Sequence, residues 1–541
     1  MKQIVYYILF IIIGFNLLFT SHARNFPASE TELYFVYFTD KKNVDFDPYD
    51  YFHPYAIERR IKNGICLYDE SDFPVKESYI KKVASTVDSA SYASRWFNGL
   101  FVFASQEQVE HVQHFTFVRE VEKISKKLAI PASFQRANDL STFSSSDRRL
   151  LKLQTRHLNG HEFYNRRIDG TGVRIAIFDA GFPGVNTHDA FKHIIDERRV
   201  AGTWDFHKDI ANVFKDNVHG TNVLSAVAGF VDTIPMGLAT GADFLLARTE
   251  IIFEFFFEEK YWLAAAEWAD KNGAHIINSS VGYTYHRYFP EQMDGNTSLV
   301  ARAATMASRK GIVVVISAGN EGSKDNWETL CTPGDADSVL TVGAIDPDTF
   351  LVTEYSSKGP TADKRMKPNV SAFGTVISAS ASGYSTPSGT SFSSPLVVGF
   401  AACVMQMYPD WNNMQVIEEI QKSASLYPYY DYSHGYGVPD ANYFLEQQFK
   451  PTEPTFEFVL NDDELEIRIL NNKSTAFEID LPKDILYLNI SDDNGVIQHY
   501  YVVQVYQEHA FSLDLKNLLY DQKVVAHYRG FTSVFNPGLE Y

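Results

Sequence analysis

"VRIAIFDAGFPG", residues 173–184, begins with an apolar run that closes on Asp179, and two glycines, Gly181 and Gly184, follow within five residues. An unbroken apolar run, as opposed to an alternating one, marks a strand buried on both faces. "DFLLAR", "AHIINSS", "GIVVVIS" and "SVLTVGA" repeat the pattern further on, each bounded by Gly, Asp, Asn or Ser. Helical patterns such as "KYWLAAAEWADKNG" and "SLVARAATMASRKG" separate several of them. This alternation predicts one α/β domain over residues 153–450, with a doubly wound, mainly parallel sheet.

The flanks read differently. At 541 residues the chain exceeds a single ordinary core, so further domains are expected. Residues 24–130 mix strand-like "ELYFVYF", "FNGLFVFAS" and "TFVREVEKI" with helical "PYAIERRIKNG", "KESYIKKVAS" and "QEQVEHVQHF". That order predicts a small α+β sheet of split βαβ, ferredoxin-like type. Residues 131–152, with "SFQRANDLSTFSSSDRRLLK" and the pair Arg148-Arg149 near their end, predict a solvated linker open to proteolysis. After Pro451 the pattern has period two, with Asp-Asp and Asn-Gly turns, so residues 451–541 predict an all-β sandwich.

Residues 1–23 carry Lys2, an apolar run over 4–19 broken by Asn16, and the small pair Ser21 and Ala23. This is a signal-peptide pattern, too short to span a membrane, with cleavage expected near Ala23. Export follows, to the periplasm, cell surface or exterior, and no later stretch reads as a transmembrane span. Three cysteines, Cys66, Cys331 and Cys403, make no disulfide framework or zinc spacing. The net charge of −19 argues against nucleic acid or an anionic membrane as partner.

In an open parallel sheet, functional groups gather beyond the carboxyl ends of strands. Asp179 stands at such an end, where an acid is held rigidly, although a turn former or cap reads the same way. His219, in "NVHGTNVLSAVAGF", opens an apolar helical pattern, where the dipole gives an imidazole no help in protonating. A surface cap is its other reading. Asn320, in "VVVISAGNEG", ends another strand and offers a carboxamide donor, or a tight turn. Ser391, in "SGTSFSSPLVVG" (388–399), sits at the first turn of an apolar helix beside free backbone N–H groups. That setting suits a nucleophile whose oxyanion forms next to donors.

"IAIFDAGF", "HGTNVLS", "INSSVGY", "SAGNEG" and "GTSFSSP" together resemble the signature blocks of the subtilases, the subtilisin-like serine endopeptidases, in the family's order. The resemblance covers about residues 169–409. It implies that Asp179 orients His219, that His219 takes the proton of Ser391, and that Ser391 forms an acyl-enzyme. Asn320 and the Ser391 N–H would hold the oxyanion. Ser280, Val281 and Gly282 would pair with extended substrate, beside Gly319. Cys331 would line the floor of the main specificity pocket and favour small or medium residues before the scissile bond; a buried inert thiol is the other reading.

The N-terminal block resembles the inhibitory prodomain of exported subtilases of Bacteroidetes-like bacteria, through "YFVYFTDKK", "IERRIKNGI", "SRWFNGLFVFA" and "FVREVEKI". A zymogen that cuts itself between residues 131 and 152, with its own prodomain as inhibitor and proteins or peptides as substrates, is the expectation. The chemistry needs no cofactor. The family often carries structural calcium, but no D-x-D-x-D-G loop is present and Asp294 in "MDGN" alone does not make a site. Two other readings remain: an exported peptide-capturing or adhesion protein that turns over poorly, and an ester or lipid hydrolase. The order Asp, His, Ser and the lack of a G-x-S-x-G elbow argue against the last.

Overall fold

The computed structural model describes residues 31–124, 130–131, 138–140, 142–251, 253–254, 257–284, 287–446, 453–461, 463–470, 484–505, 510–519 and 521–537. The expected signal peptide, residues 1–23, lies outside the described residues. The central sheet has seven strands: β1 (Arg174–Asp179), β2 (Val200–Asp205), β3 (Asp243–Arg248), β4 (Ile276–Ser279), β5 (Val313–Ser317), β6 (Leu340–Ile345) and β7 (Val370–Phe373). Their order is β7-β6-β5-β4-β1-β3-β2, every pair parallel. Sequence reading finds five of the seven. β2, "VAGTWD", is a half-exposed edge strand containing a glycine, and β7, "VSAF", is four residues long, so neither makes a clear apolar run.

Both faces of the sheet are covered. Ile175 and Ile177 of β1 point into one core, with α1 (His219–Ala228) and α4 (Thr390–Met407). Ala176 and Phe178 point into the other, with α2 (Glu258–Lys271) and α3 (Leu299–Arg309). Alternate side chains thus serve opposite layers, which is why the strands read as continuous apolar runs. By length and composition α4 is apolar enough to cross a membrane, contrary to the expectation of no such stretch. In the fold it is a core helix, packed on α1 and on four strands of the sheet.

The N-terminal domain is a four-stranded antiparallel sheet, in the order Ser89–Ser94, Gly99–Ala104, Glu32–Phe38, Val118–Lys123. Val83 of helix Glu77–Ala84 and Val109 and Val112 of helix Gln106–Gln113 pack on one face, giving the ferredoxin-like arrangement. The other face, with Phe35, Trp96 and Phe101, shares a core with α2 and α3. A further helix, Pro54–Lys62, is inserted before Glu77–Ala84.

The expected linker is a correction in its second half. Residues Ser145–Arg156 form a helix, opened by a capping box between Ser144 and Asp147, with Leu151 and Gln154 buried. Arg148 and Arg149 therefore stand on a helix, and Arg149 pairs with Asp348 at 2.6 Å. The serine-rich composition that suggested a loop is a helix start. At the C-terminus, a three-stranded and a four-stranded antiparallel sheet enclose one apolar core that includes Leu465, Leu486 and Val524. Asn489 joins this unit to the catalytic domain by donating to the Tyr430 carbonyl at 2.8 Å.

Candidate functional site

β1 runs between β4 and β3, at the point where the winding of the sheet reverses, and so its exit end opens a crevice. Asp179 closes that strand with no solvent exposure. One of its oxygens accepts the Ala180 N–H at 2.7 Å. α1 begins directly against it, because Gly220 has no side chain: a Cβ there would lie 2.4 Å from the Gly181 carbonyl oxygen and 2.9 Å from the Asp179 Cβ. His219, the first residue of α1, consequently meets the acid. Its Nδ1 lies 2.8 Å from Asp179 Oδ1 and 3.0 Å from Oδ2. A nitrogen facing two carboxylate oxygens carries the proton, which leaves Nε2 as the acceptor of the neutral ring.

Ser391 lies in the first turn of α4, and the ring of the next residue, Phe392, is centred 5.6 Å from that of His219. The Ser391 hydroxyl donates to the Ser280 carbonyl at 3.0 Å. Ser280 returns the bond, its hydroxyl donating to the Ser391 carbonyl at 2.9 Å. The second bond has a cause four residues on. Pro395 has no N–H, so the Ser391 carbonyl lacks its usual intrahelical donor, and Ser280 supplies one. Sequence reading placed Ser280 beside the substrate and missed this role, since a proline announces a missing donor but not which hydroxyl replaces it.

Asn320 follows β5. Its Oδ1 accepts the Thr390 N–H at 2.9 Å and the Thr390 hydroxyl at 3.0 Å. The Thr390 hydroxyl in turn accepts the Gly319 N–H at 3.2 Å. With the oxygen end committed, the NH2 end is the part of the carboxamide left to address a ligand. Ser280, Val281 and Gly282 leave the end of β4, and Val281 is anchored in the core shared with α2 and α3. Cys331 is buried between Gly282 and Gly319: Cβ atoms added at those glycines would come within 2.4 Å and 2.8 Å of its Sγ. All nine residues expected from sequence therefore converge on the exit side of the central strands.

Asp294, the residue weighed for calcium, caps a turn. Its Oδ1 accepts the N–H groups of Asn296 and Thr297, and its Oδ2 accepts the Thr297 hydroxyl, so its own turn uses it. Among the described residues, no group of three or more His, Cys, Asp or Glu is arranged to hold a metal ion.

Two short strand pairs were not legible in the sequence. Ile130–Pro131 pairs antiparallel with Phe253–Glu254, and Asn138–Leu140 pairs antiparallel with Tyr384–Thr386, which runs toward Ser391. Two- and three-residue pairs have no periodicity to detect.

Residues 170–437 match the Subtilase family, Peptidase S8. Subtilisin DY of Bacillus licheniformis is 30% identical over 257 residues, which is 47% of this chain and 85% of that protein. The chain belongs to the subtilase family. Residues 33–140 of this subtilase match the Peptidase S8 propeptide domain of Bacteroidota. Subtilisin E of Bacillus subtilis (strain 168) is 29% identical over 259 residues, covering 47% of the subtilase and 61% of its relative. Among solved structures, MycP1 from Mycobacterium smegmatis aligns with a TM-score of 0.46 at 21% identity, over 60% of this chain and 91% of that one. The protein is a serine endopeptidase of the subtilase family with a propeptide domain, consistent with a zymogen. Its family needs no cofactor for catalysis.

Proposed function

We propose that Ser391 is the nucleophile, His219 the general base and then general acid, and Asp179 the group that orients the imidazole and stabilises its charged form. The observation that carries this reading is the two-oxygen contact of Asp179 with His219 Nδ1, beside the helix turn that bears Ser391. On attack, the hydroxyl proton passes from Ser391 to His219 Nε2 as Oγ bonds to the substrate carbonyl carbon. The oxyanion is held by the Asn320 NH2 and the Ser391 N–H. The imidazolium then protonates the leaving amine, and water releases the acyl group by the reverse proton path. A fluorophosphonate probe tests the assignment: Ser391 is expected to be labelled in the processed protein, and labelling elsewhere or none would favour a peptide-capturing protein that does not turn over.

The two short strand pairs support self-processing. Ile130–Pro131 and Asn138–Leu140 pair with strands on either side of the site, so the bonds between residues 131 and 138 are the proposed point of cleavage. Substrates would pair with Phe253–Glu254, with residues 280–282 and with Tyr384–Thr386 in the same way, by main-chain hydrogen bonds. The Ser391→Ala chain should keep full length in purified form. Maturation of that chain to the usual size would exclude self-cleavage. Cys331, set between the walls at Gly282 and Gly319, supports a shallow pocket and a preference for small or medium residues before the scissile bond. A peptide panel cut best after large aromatics would reject it. Residues 1–23 are proposed to direct export, with the N-terminal domain as intramolecular inhibitor until cleavage.

A further inference from the structure

We propose that an arginine clasp at the entry end of the sheet, added to the apolar face that the prodomain packs on α2 and α3, holds the prodomain in place after the linker is cut. The clasp is built on the inserted helix Pro54–Lys62, which the ferredoxin-like unit does not itself require. Its N-cap, His53, donates its backbone N–H to the carbonyl of Lys271, the last residue of α2, at 2.9 Å. Arg59 is buried and uses every edge of its guanidinium. Nε donates to the Lys310 carbonyl at 3.0 Å, Nη1 to the Ala274 carbonyl, and Nη2 to Asp270 Oδ1. Lys310 is the C-cap of α3, and Ala274 lies just past the end of α2.

Helix C-termini leave carbonyl oxygens without intrahelical donors and carry the negative end of the dipole. A planar fork of donors with a fixed positive charge matches such a surface better than an ammonium does. The contact is also interlocked. Asp270 of α2 receives Arg60 at 2.8 Å and Arg95 at 2.5 Å on its second oxygen. In the other direction, Lys310 of the catalytic domain reaches Asp72 of the prodomain at 3.2 Å. Each domain therefore presents an acid to the other's cations.

The position of the clasp separates it from the cleft. Ala274 and Lys310 immediately precede β4 and β5, whereas Ser280 and Asn320 follow them. The strands are parallel, so the clasp and the nucleophile stand at opposite ends of the same sheet. At the exit end the prodomain segment pairs twice with the catalytic domain, Ile130–Pro131 with Phe253–Glu254 and Asn138–Leu140 with Tyr384–Thr386. A cut between residues 131 and 138 falls at this end and leaves the clasp untouched.

The inference rests on reading residues 33–140 as a prodomain, and its test avoids self-processing. The full-length Ser391→Ala chain is nicked in the linker by an added protease and followed by size-exclusion chromatography. The nicked prodomain is expected to co-elute with the remainder. Arg59→Met should release it faster by on the order of 30-fold, the loss that follows truncation of a buried charge pair, with Arg59→Lys between the two. Immediate separation of the nicked Ser391→Ala chain, or release from Arg59→Met at the unsubstituted rate, would overturn the clasp. Should Arg59→Met fail to fold, hydrogen exchange on the nicked Ser391→Ala chain decides. Amides of residues 54–62 should keep their protection after the cut, and its loss would refute the proposal.

Discussion

Two aspartates at opposite ends of one sheet have the same exposure, none, and opposite uses. Asp179, at the exit end, meets one imidazole, and the partners around it stay within reach of solvent: His219 is 9% and Ser391 8% exposed. Asp270, at the entry end, meets the guanidiniums of Arg59, Arg60 and Arg95, of which the first two are at most 1% exposed. Burial opposes ionisation of Asp270, but the charges of Arg60, Arg95 and Arg59 outweigh it and hold its carboxyl far below the ordinary range. A buried carboxylate facing one imidazole can orient that ring and steady it while the ring gains and loses a proton. One saturated by permanent cations is a lock, because arginine has no proton to give up.

The same substitution at both ends puts this contrast at risk. Asp179→Asn should lower kcat by about 10⁴-fold, by favouring the wrong imidazole tautomer, while the chain stays folded. Steady-state kinetics beside a thermal melt would check it, and a loss of tenfold or less would deny Asp179 its role. Asp270→Asn should act on stability: removing one partner from a buried charge network costs about 3–5 kcal/mol, read as a lowered denaturant midpoint of the unprocessed chain. Asn320→Ala comes next, with a fall in kcat of about 10²–10³-fold and little change in KM, the range observed for the corresponding donor in a subtilisin.

A third buried carboxylate sharpens the comparison from the other side. Asp335 accepts the Gly295 N–H at 2.8 Å but sits in no cation network like that of Asp270, and burial raises its pKa to about 6. Between the ordinary value of 3.8 and about 6, the folded chain holds a proton that the unfolded chain has lost. Stability therefore falls as pH rises through that window, and the full cost of the buried charge is present above it. Asp335→Asn should stabilise the protein by about 3 kcal/mol at pH 8 and leave it unchanged near pH 3, measured by denaturant unfolding. Equal stabilisation at both pH values would mean that packing, and not ionisation, sets the effect.

The exit end was legible in the sequence because each of its groups terminates or begins an element: Asp179 ends β1, His219 opens α1, Asn320 follows β5 and Ser391 opens α4. Strand ends and helix starts leave marks of their own, in apolar runs and glycines. The entry end left none. Arg59 and Arg60 in "AIERRIKNG" lie within one helical pattern and Asp270 in "EWADKNG" near the end of another. Only their meeting across more than 200 residues of chain makes them a unit, and no local pattern encodes it. The misread linker failed for the opposite reason: its serines carried a local signal, but of a capped helix.

The missing N–H of Pro395 has a mechanical consequence. Ser280 answers it with its hydroxyl and takes the Ser391 hydroxyl on its carbonyl, so both ends of Ser391 are hinged on one neighbour. That neighbour opens the segment proposed to run alongside the peptide. A chain that seats badly there would tilt the attacking oxygen directly, with no intervening joint to absorb the error, so that poor fit registers in the rate of bond breaking as well as in affinity.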